Sequence, residues 1–385
     1  MSAAQWRRAM NTGLAAAARP LPLPRAGAGT SAAGAAADSG ASTWLEALRR
    51  NISARHVIVL AAVLIYPFVA TPFFTFQIAG QALALGLIAL SLTFLGGYGG
   101  MISLAQLTVA GIAGYALSIL GTSGAAGQAA SHGWPWWVAI PFALAIATVC
   151  ATLIGWLSVR TEGIYTIMIT LAIGVAFYYL ALQNYSVFNG FQGFQRVYPP
   201  TVFDVNWRDP VPFYFLALAC CLAGYLLVKW LVRAPFGLAM QGIRDNPRRM
   251  HALGYNVTAH RVAAYGVAGL MAGVGGILLI WYNGLITPNS VNTGWLINIL
   301  VIAVLGGMKH PIGAFLGAFV FVLLQSFAVD VIDRERFNLV IGVVFLAIVL
   351  FSPDGLLGLW AKLRSRFGPQ AALTSPASSS TRRQK

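Results

Sequence analysis

The sequence predicts an all-α protein, a polytopic bundle of about ten transmembrane helices with both termini on the inner side. Hydrophobic residues make up 58% of the 385 positions and charged residues only 9%. Apolar stretches close to the ~20 residues that cross hydrocarbon recur almost throughout. A soluble domain with that balance has too little polar surface to cover itself, whereas a bilayer supplies the apolar solvent.

Residues 1–43 are rich in Ala, Gly, Pro and Ser, nearly lack acids and show no sustained apolar period, which predicts disorder. Arg7, Arg8, Arg19 and Arg25 give this tail the look of a transit peptide; a solvated inner-side tail, or an overlong start, is the plainer reading. Next, Trp44, Leu45, Leu48 and Ile52 share one helical face flanked by Arg49, Arg50 and Arg55, as in a helix lying on the membrane surface. Residues 1–55 are therefore set apart as a basic tail, 56–360 as the membrane domain and 361–385 as a second basic tail.

Spans are predicted at 57–75, 78–95, 101–121, 134–158 and 164–183. After a polar stretch, five more follow at 211–231, 262–282, 293–308, 311–329 and 337–352. The placement of Lys and Arg tests the count, because a wrong number of crossings scatters them over both sides. With the amino terminus inside, 21 of the 25 basic residues fall on the inner side, leaving Arg196, Arg208, Arg334 and Arg336 outside. The formal charge of +15 thus reports topology, and the bilayer rather than nucleic acid is the expected partner.

Within the predicted spans no Asp, Glu, Lys or Arg reaches the interior, and Arg160 and Glu162 stand at a boundary. Ion-coupled carriers keep such groups at membrane depth, so an ion gradient is a poor candidate for the energy source. No GxxxxGK[ST] loop is present, so active transport would need a motor in another chain. Cys150, Cys220 and Cys221 lie in apolar segments without ligand spacing and read as small core residues. The five histidines have neither metal nor catalytic spacing.

The segment 233–261, RAPFGLAMQGIRDNPRRMHALGYNVTAHR, is the longest polar insertion of the second half and predicts two short helices. Pro235 opens the first, Asn246 caps a second that Pro247 begins, and Gly254 suits a left-handed stop. Met240, Ile243, Met250 and Leu253 beside Arg244, Arg248 and Arg249 would make a knob with apolar and basic faces. Its residues suit either a partner protein or anionic lipid.

Glycine pairs Gly111/Gly114, Gly269/Gly273 and Gly313/Gly317 permit close helix packing. The runs LGGYGG at 95–100 and LGGMKHPIG at 305–313 break a helix beside a span, which is tolerated where backbone is buried in protein or lines a cavity. Their similarity hints at a weak internal repeat. Polar groups inside the spans include Ser103, Gln106, Thr108, Tyr165, Thr166, Thr170 and Asn298. Some could meet a zwitterionic solute, and each could equally be satisfied by a neighbouring helix.

Several of these stretches together resemble the permease subunits of the branched-chain amino-acid ABC transporter family, Liv type, over most of 80–360. They are GGYGG followed by ISLAQ at 102–106, RTEGIYTIMITLA at 160–172, NGFQGF at 189–194, FGLAMQGIRDNPRRMHALGYN at 236–256, VLGGMKHPIGAFLGA, and FSPDGLLGL. The resemblance implies a transport subunit of the bacterial inner membrane that is not itself an enzyme. It further implies a sister permease, two cytoplasmic ABC ATPase subunits that bind the ATP and magnesium, an external solute-binding protein, and no cofactor in this chain. It assigns Gly237, Ile243, Arg244, Asp245, Asn246, Leu253 and Gly254 to ATPase coupling. As substrate-pathway candidates it leaves Gly97, Gly100, Ser103, Gln106, Tyr165, Thr166, Thr170, Asn298, Gly306 and Gly307. Val109, Ala110 and Asn189 depart from the residues usual in the family. They leave the solute open, because the family also serves urea and short amides. A secondary carrier or channel, and a membrane scaffold, are the competing readings.

Overall fold

The computed structural model describes residues 63–121, 131–201, 205–331, 342–343, 346, 350 and 355–358. Nearly all the described residues belong to one compact unit, Ile65–Lys385. Both predicted tails, the surface helix, the start of the first span and most of the tenth lie outside the described residues.

A short helix over 63–69 is followed by a break, then by one long helix, α1, Phe74–Tyr98. The predicted boundary between the first two spans, near residue 76, therefore moves to 70–71. Pro72 explains the shift: it pushes Thr71 out of helical conformation and suits the first turn of the next helix. The helices that follow are α2 (Gln106–Leu120), α3 (Trp136–Ser158), α4 (Ile164–Gln183) and α5 (Pro210–Arg233). Two short helices, α6 (Pro235–Asp245) and α7 (Pro247–Ala252), precede α8 (Val257–Asn283), α9 (Thr293–Gly306) and α10 (Pro311–Val331). Strands β1 (Phe194–Gln195) and β2 (Leu285–Ile286) pair antiparallel, Phe194 opposite Ile286 and Gln195 opposite Leu285.

Among the described residues five helices are long and apolar enough to cross a membrane: α1, α3, α4, α5 and α8. Helices α9 and α10 make a sixth candidate as a pair bent by 118° at the Gly307–His310 break. Helix α2, predicted as a full span from 101, starts only at Gln106 and has 15 residues, about 22 Å of rise.

Packing follows residue size. The QALALGLIALSLT stretch of α1 is apolar on every side, and 89% of the apolar window in α1 is buried among α2, α5, α8, α9 and α10. Helix α3 turns Ala139, Ala143, Ala147, Ala151 and Gly155 inward, one residue per turn, and Trp137, Phe142, Val149 and Leu153 outward. Its small stripe meets the glycines of α8: a Cβ on Gly269 would overlap that of Ala151, and one on Gly273 would stand 3.4 Å from that of Ala147. Small residues inside and large apolar ones outside is the pattern of helices that associate in lipid, where close backbone contact rather than water exclusion holds them together.

Candidate functional site

The predicted knob forms at the end of the bundle where α5 stops and α8 begins. Pro235 stands in the first turn of α6; Asn246 accepts from the Arg249 amide at 3.0 Å and opens α7, which Pro247 begins. Gly254, at φ +88°, closes the pair, and Asn256 caps α8 by accepting from the Ala259 amide at 3.0 Å. Met250 folds α7 back over α6, its sulfur 2.8 Å from where a Cβ on Gly242 would stand.

The knob is seated by one face and open on the other. Met240 and Ile243 are fully buried, and a Cβ on Gly237 would overlap the Leu231 carbonyl. Gln241 Nε2 donates to the Val232 and Gly237 carbonyls at 3.3 and 3.2 Å, and Phe236 stacks on His260 at 5.7 Å. Gly237 and Ile243, which the sequence marks for ATPase coupling, therefore face inward and anchor the segment rather than presenting a surface. Asp245, Asn246, Arg248, Leu253 and Gly254 face outward, joined by Leu238, which lies in the motif at 236–256 without being named as a coupling residue; Leu238 is 62% and Leu253 67% exposed. Phe236, Gln241 and His260 lie in the quoted segment 233–261, but the sequence assigned them no anchoring role, since their partners are neighbouring segment ends.

Behind the knob the two glycine runs meet. The last turns of α1, Phe94–Tyr98, are π-helical, and Gly97 lies so close to the Met308 carbonyl that a Cβ would overlap it. Arg244 Nη1 donates to the Gly97 carbonyl at 2.6 Å, and its stem crosses Gly100, at φ +67°. Gly306 packs on Gly313 and Gly317, and Gly307 on Gly355, with contacts that exclude any side chain. Gly97, Gly306 and Gly307 thus belong to one knot of backbone contacts, and Gly100 lies beside it under the Arg244 stem.

The predicted polar residues form a second cluster at the start of α2. Thr170 Oγ1 accepts from the Leu104 amide at 3.1 Å, and Thr166 Oγ1 donates to the Thr161 carbonyl at 2.9 Å. Ser91 Oγ donates to Gln106 Oε1 at 3.2 Å, and Ser103 Oγ accepts from the Ala105 amide at 3.3 Å. All five side chains are buried, as is Thr108, whose hydroxyl has no hydrogen-bond partner among the described residues. Tyr165 points away and is 66% exposed, and Asn298 is half-buried on α9, so neither joins the cluster.

At the opposite end a small cap closes the bundle. Asn189, at φ +59°, donates from Nδ2 to the Gly193 carbonyl at 2.7 Å, and Tyr115 packs edge-on against Phe177, Phe188 and Phe194. The departure noted at Asn189 is therefore a turn residue in left-handed conformation, which asparagine tolerates.

Membrane-length helices with small-residue interfaces and a polar two-helix knob define a multi-pass membrane protein. The chain belongs to the family described as branched-chain amino acid transport system / permease component, whose pattern matches residues 74–349. It is 24% identical over 249 residues to the high-affinity branched-chain amino acid transport system permease protein LivM of Salmonella typhimurium, covering 59% of this chain and 58% of that one. Similarity also extends to the nucleoside ABC transporter permease protein NupC of Lactococcus lactis, 34% identical over 32% of this chain and 37% of NupC. The autoinducer 2 import system permease protein LsrC of Photorhabdus laumondii is 30% identical over 39% of this chain and 46% of its own. The matched region spans a little under three-fifths of the length of the Salmonella typhimurium and Escherichia coli LivM proteins. No solved structure matches the chain.

Proposed function

We propose that this chain is the membrane-spanning subunit of an ATP-driven importer of branched-chain or related small amino acids in the bacterial inner membrane. It would cross about ten times with both termini inside, beside a sister permease, with one of two ATPase subunits seated on its knob and a solute-binding protein delivering cargo to the capped end. The observation that carries this reading is the knob itself: a rigidly anchored helix pair that exposes Leu238 and Leu253 among basic residues and holds no nucleotide-binding loop of its own. Apolar anchors ringed by charge are what a protein partner binds, whereas a loop lying on lipid has no need of buried scaffolding. The absence of ionisable groups inside the spans supports an external motor over ion coupling.

The experiment is uptake of labelled leucine into proteoliposomes holding the assembled subunits. Uptake that requires ATP and survives an ionophore supports the proposal; uptake that persists without ATP and collapses with the ionophore refutes it. The LivM relatives favour branched-chain amino acids, and the NupC and LsrC relatives, with urea and short amides, set the competitors for the same assay.

A further inference from the structure

We propose that Arg244 is a positioning residue that transmits motion of the knob to the central helix, rather than a residue that docks the ATPase; the inference rests on the reading of the knob given above. Helix α1 ends in a π-wide turn whose terminal carbonyls need partners. The Gly100 amide donates to the Gly96 carbonyl at 3.2 Å and the Met101 amide to the Leu95 carbonyl at 3.0 Å. For the Gly97 carbonyl the partner is Arg244 Nη1, at 2.6 Å, from 147 positions further along the chain.

The geometry is specific to an arginine fork. Asp245 Oδ1 accepts from Nε and from Nη2, both at 3.0 Å, which orients the guanidinium so that Nη1 is left for Gly97. A cation at the carboxyl end of a helix is also electrostatically favourable. Gly100 has no side chain where the Arg244 stem passes; a Cβ there would stand 2.6 Å from Cγ. The other face of Gly97 rests on the Met308 carbonyl, in the turn that joins α9 to α10. One side chain thus ties α6 to the end of the most buried helix and, through Gly97, to the bent helix pair. Displacing α6 loads both at once, and although the Arg244 side chain is 40% exposed, its three guanidinium nitrogens are all engaged within the chain, by Gly97 and Asp245.

The test uses the assembled transporter in proteoliposomes with its solute-binding protein and labelled leucine. For Arg244→Ala the ATPase subunits are expected to copurify as in the parent, while solute imported per ATP hydrolysed falls about tenfold. Arg244→Lys, which cannot form the fork, is expected not to rescue. Asp245→Asn keeps the arginine and loosens its plane, so a smaller loss of the same ratio is expected even if the alanine variant folds poorly. An unchanged import-to-ATP ratio in Asp245→Asn and Arg244→Lys overturns the proposal, and so does loss of the ATPase subunits from a well-folded Arg244→Ala, which would make Arg244 a docking residue. A parent complex that retains no ATPase subunits overturns the reading of the knob, and this inference with it.

Discussion

Gly276 of α8 lies directly against the carbonyl of Ala110 on α2, so that a Cβ at this position would overlap the carbonyl group itself. The obstacle is backbone, not the end of a flexible side chain, and neither helix can yield without disturbing its packing on α1. Gly276→Ala is expected to destabilise the protein by about 1–3 kcal/mol through overpacking. Gly342→Ala, an exposed helical position where nothing among the described residues lies within 4 Å, should leave stability unchanged or raise it by up to about 1 kcal/mol. Thermal midpoints in detergent, followed by size-exclusion profile, compare the two; equal midpoints would refute the close approach.

Thr170 satisfies the Leu104 amide at the point where the chain enters α2, and both residues are buried. Thr170→Val keeps the shape and removes the acceptor, leaving a buried amide without a partner at a cost of about 1–3 kcal/mol. Thr170→Ser keeps the oxygen and should lie near the parent. Thermal unfolding that ranks valine and serine alike would contradict the bond.

Leu238 and Leu253 are the large apolar residues most exposed on the knob. Leu238→Asp and Leu253→Asp should each weaken retention of the ATPase subunits by about 2 kcal/mol, roughly 30-fold. The permease itself should fold normally, because neither side chain is part of the buried seat. Copurification at several ATPase concentrations measures this, and full retention by both variants would remove the knob's outer face from the interface.

The topology has its own test in a background with Cys150, Cys220 and Cys221 replaced by serine. A cysteine at Gly254 should react with an impermeant maleimide only in inverted vesicles or after permeabilisation, and one at Phe191 in intact spheroplasts. Both positions are exposed, so access is governed by the membrane alone. The opposite labelling pattern would invert the proposed orientation.

The knob was the part of the site most readable in the sequence. Asn246, Pro247 and Gly254 act on backbone groups within a few residues, so their roles as cap, helix opener and stop follow from local chemistry and appear as expected. The long apolar helices α1, α3, α4, α5 and α8 were readable for the same reason, since apolar length is a local property. The boundary at 70–71 was misplaced because an apolar run hid the effect of Pro72, and the shortness of α2 because its apolar run extends into the bend at 101–105.

Ser103, Gln106, Thr166 and Thr170 were singled out for their polarity, yet the bonds that gather them join α1, α2 and α4 across as many as 66 positions. Tyr165 was chosen with them and points elsewhere, because neighbouring residues on a helix are turned by about 100° from one another.

By itself the sequence determined that the protein is a multi-pass membrane protein, where one polar knob lies, and which family it resembles, all through composition and short-range pattern. Only the tertiary structure decided that Gly237 and Ile243 face in while Leu238 and Leu253 face out, and that the two glycine runs meet beneath Arg244. Burial is conferred by segments distant in the chain, and no local pattern records which of them will arrive.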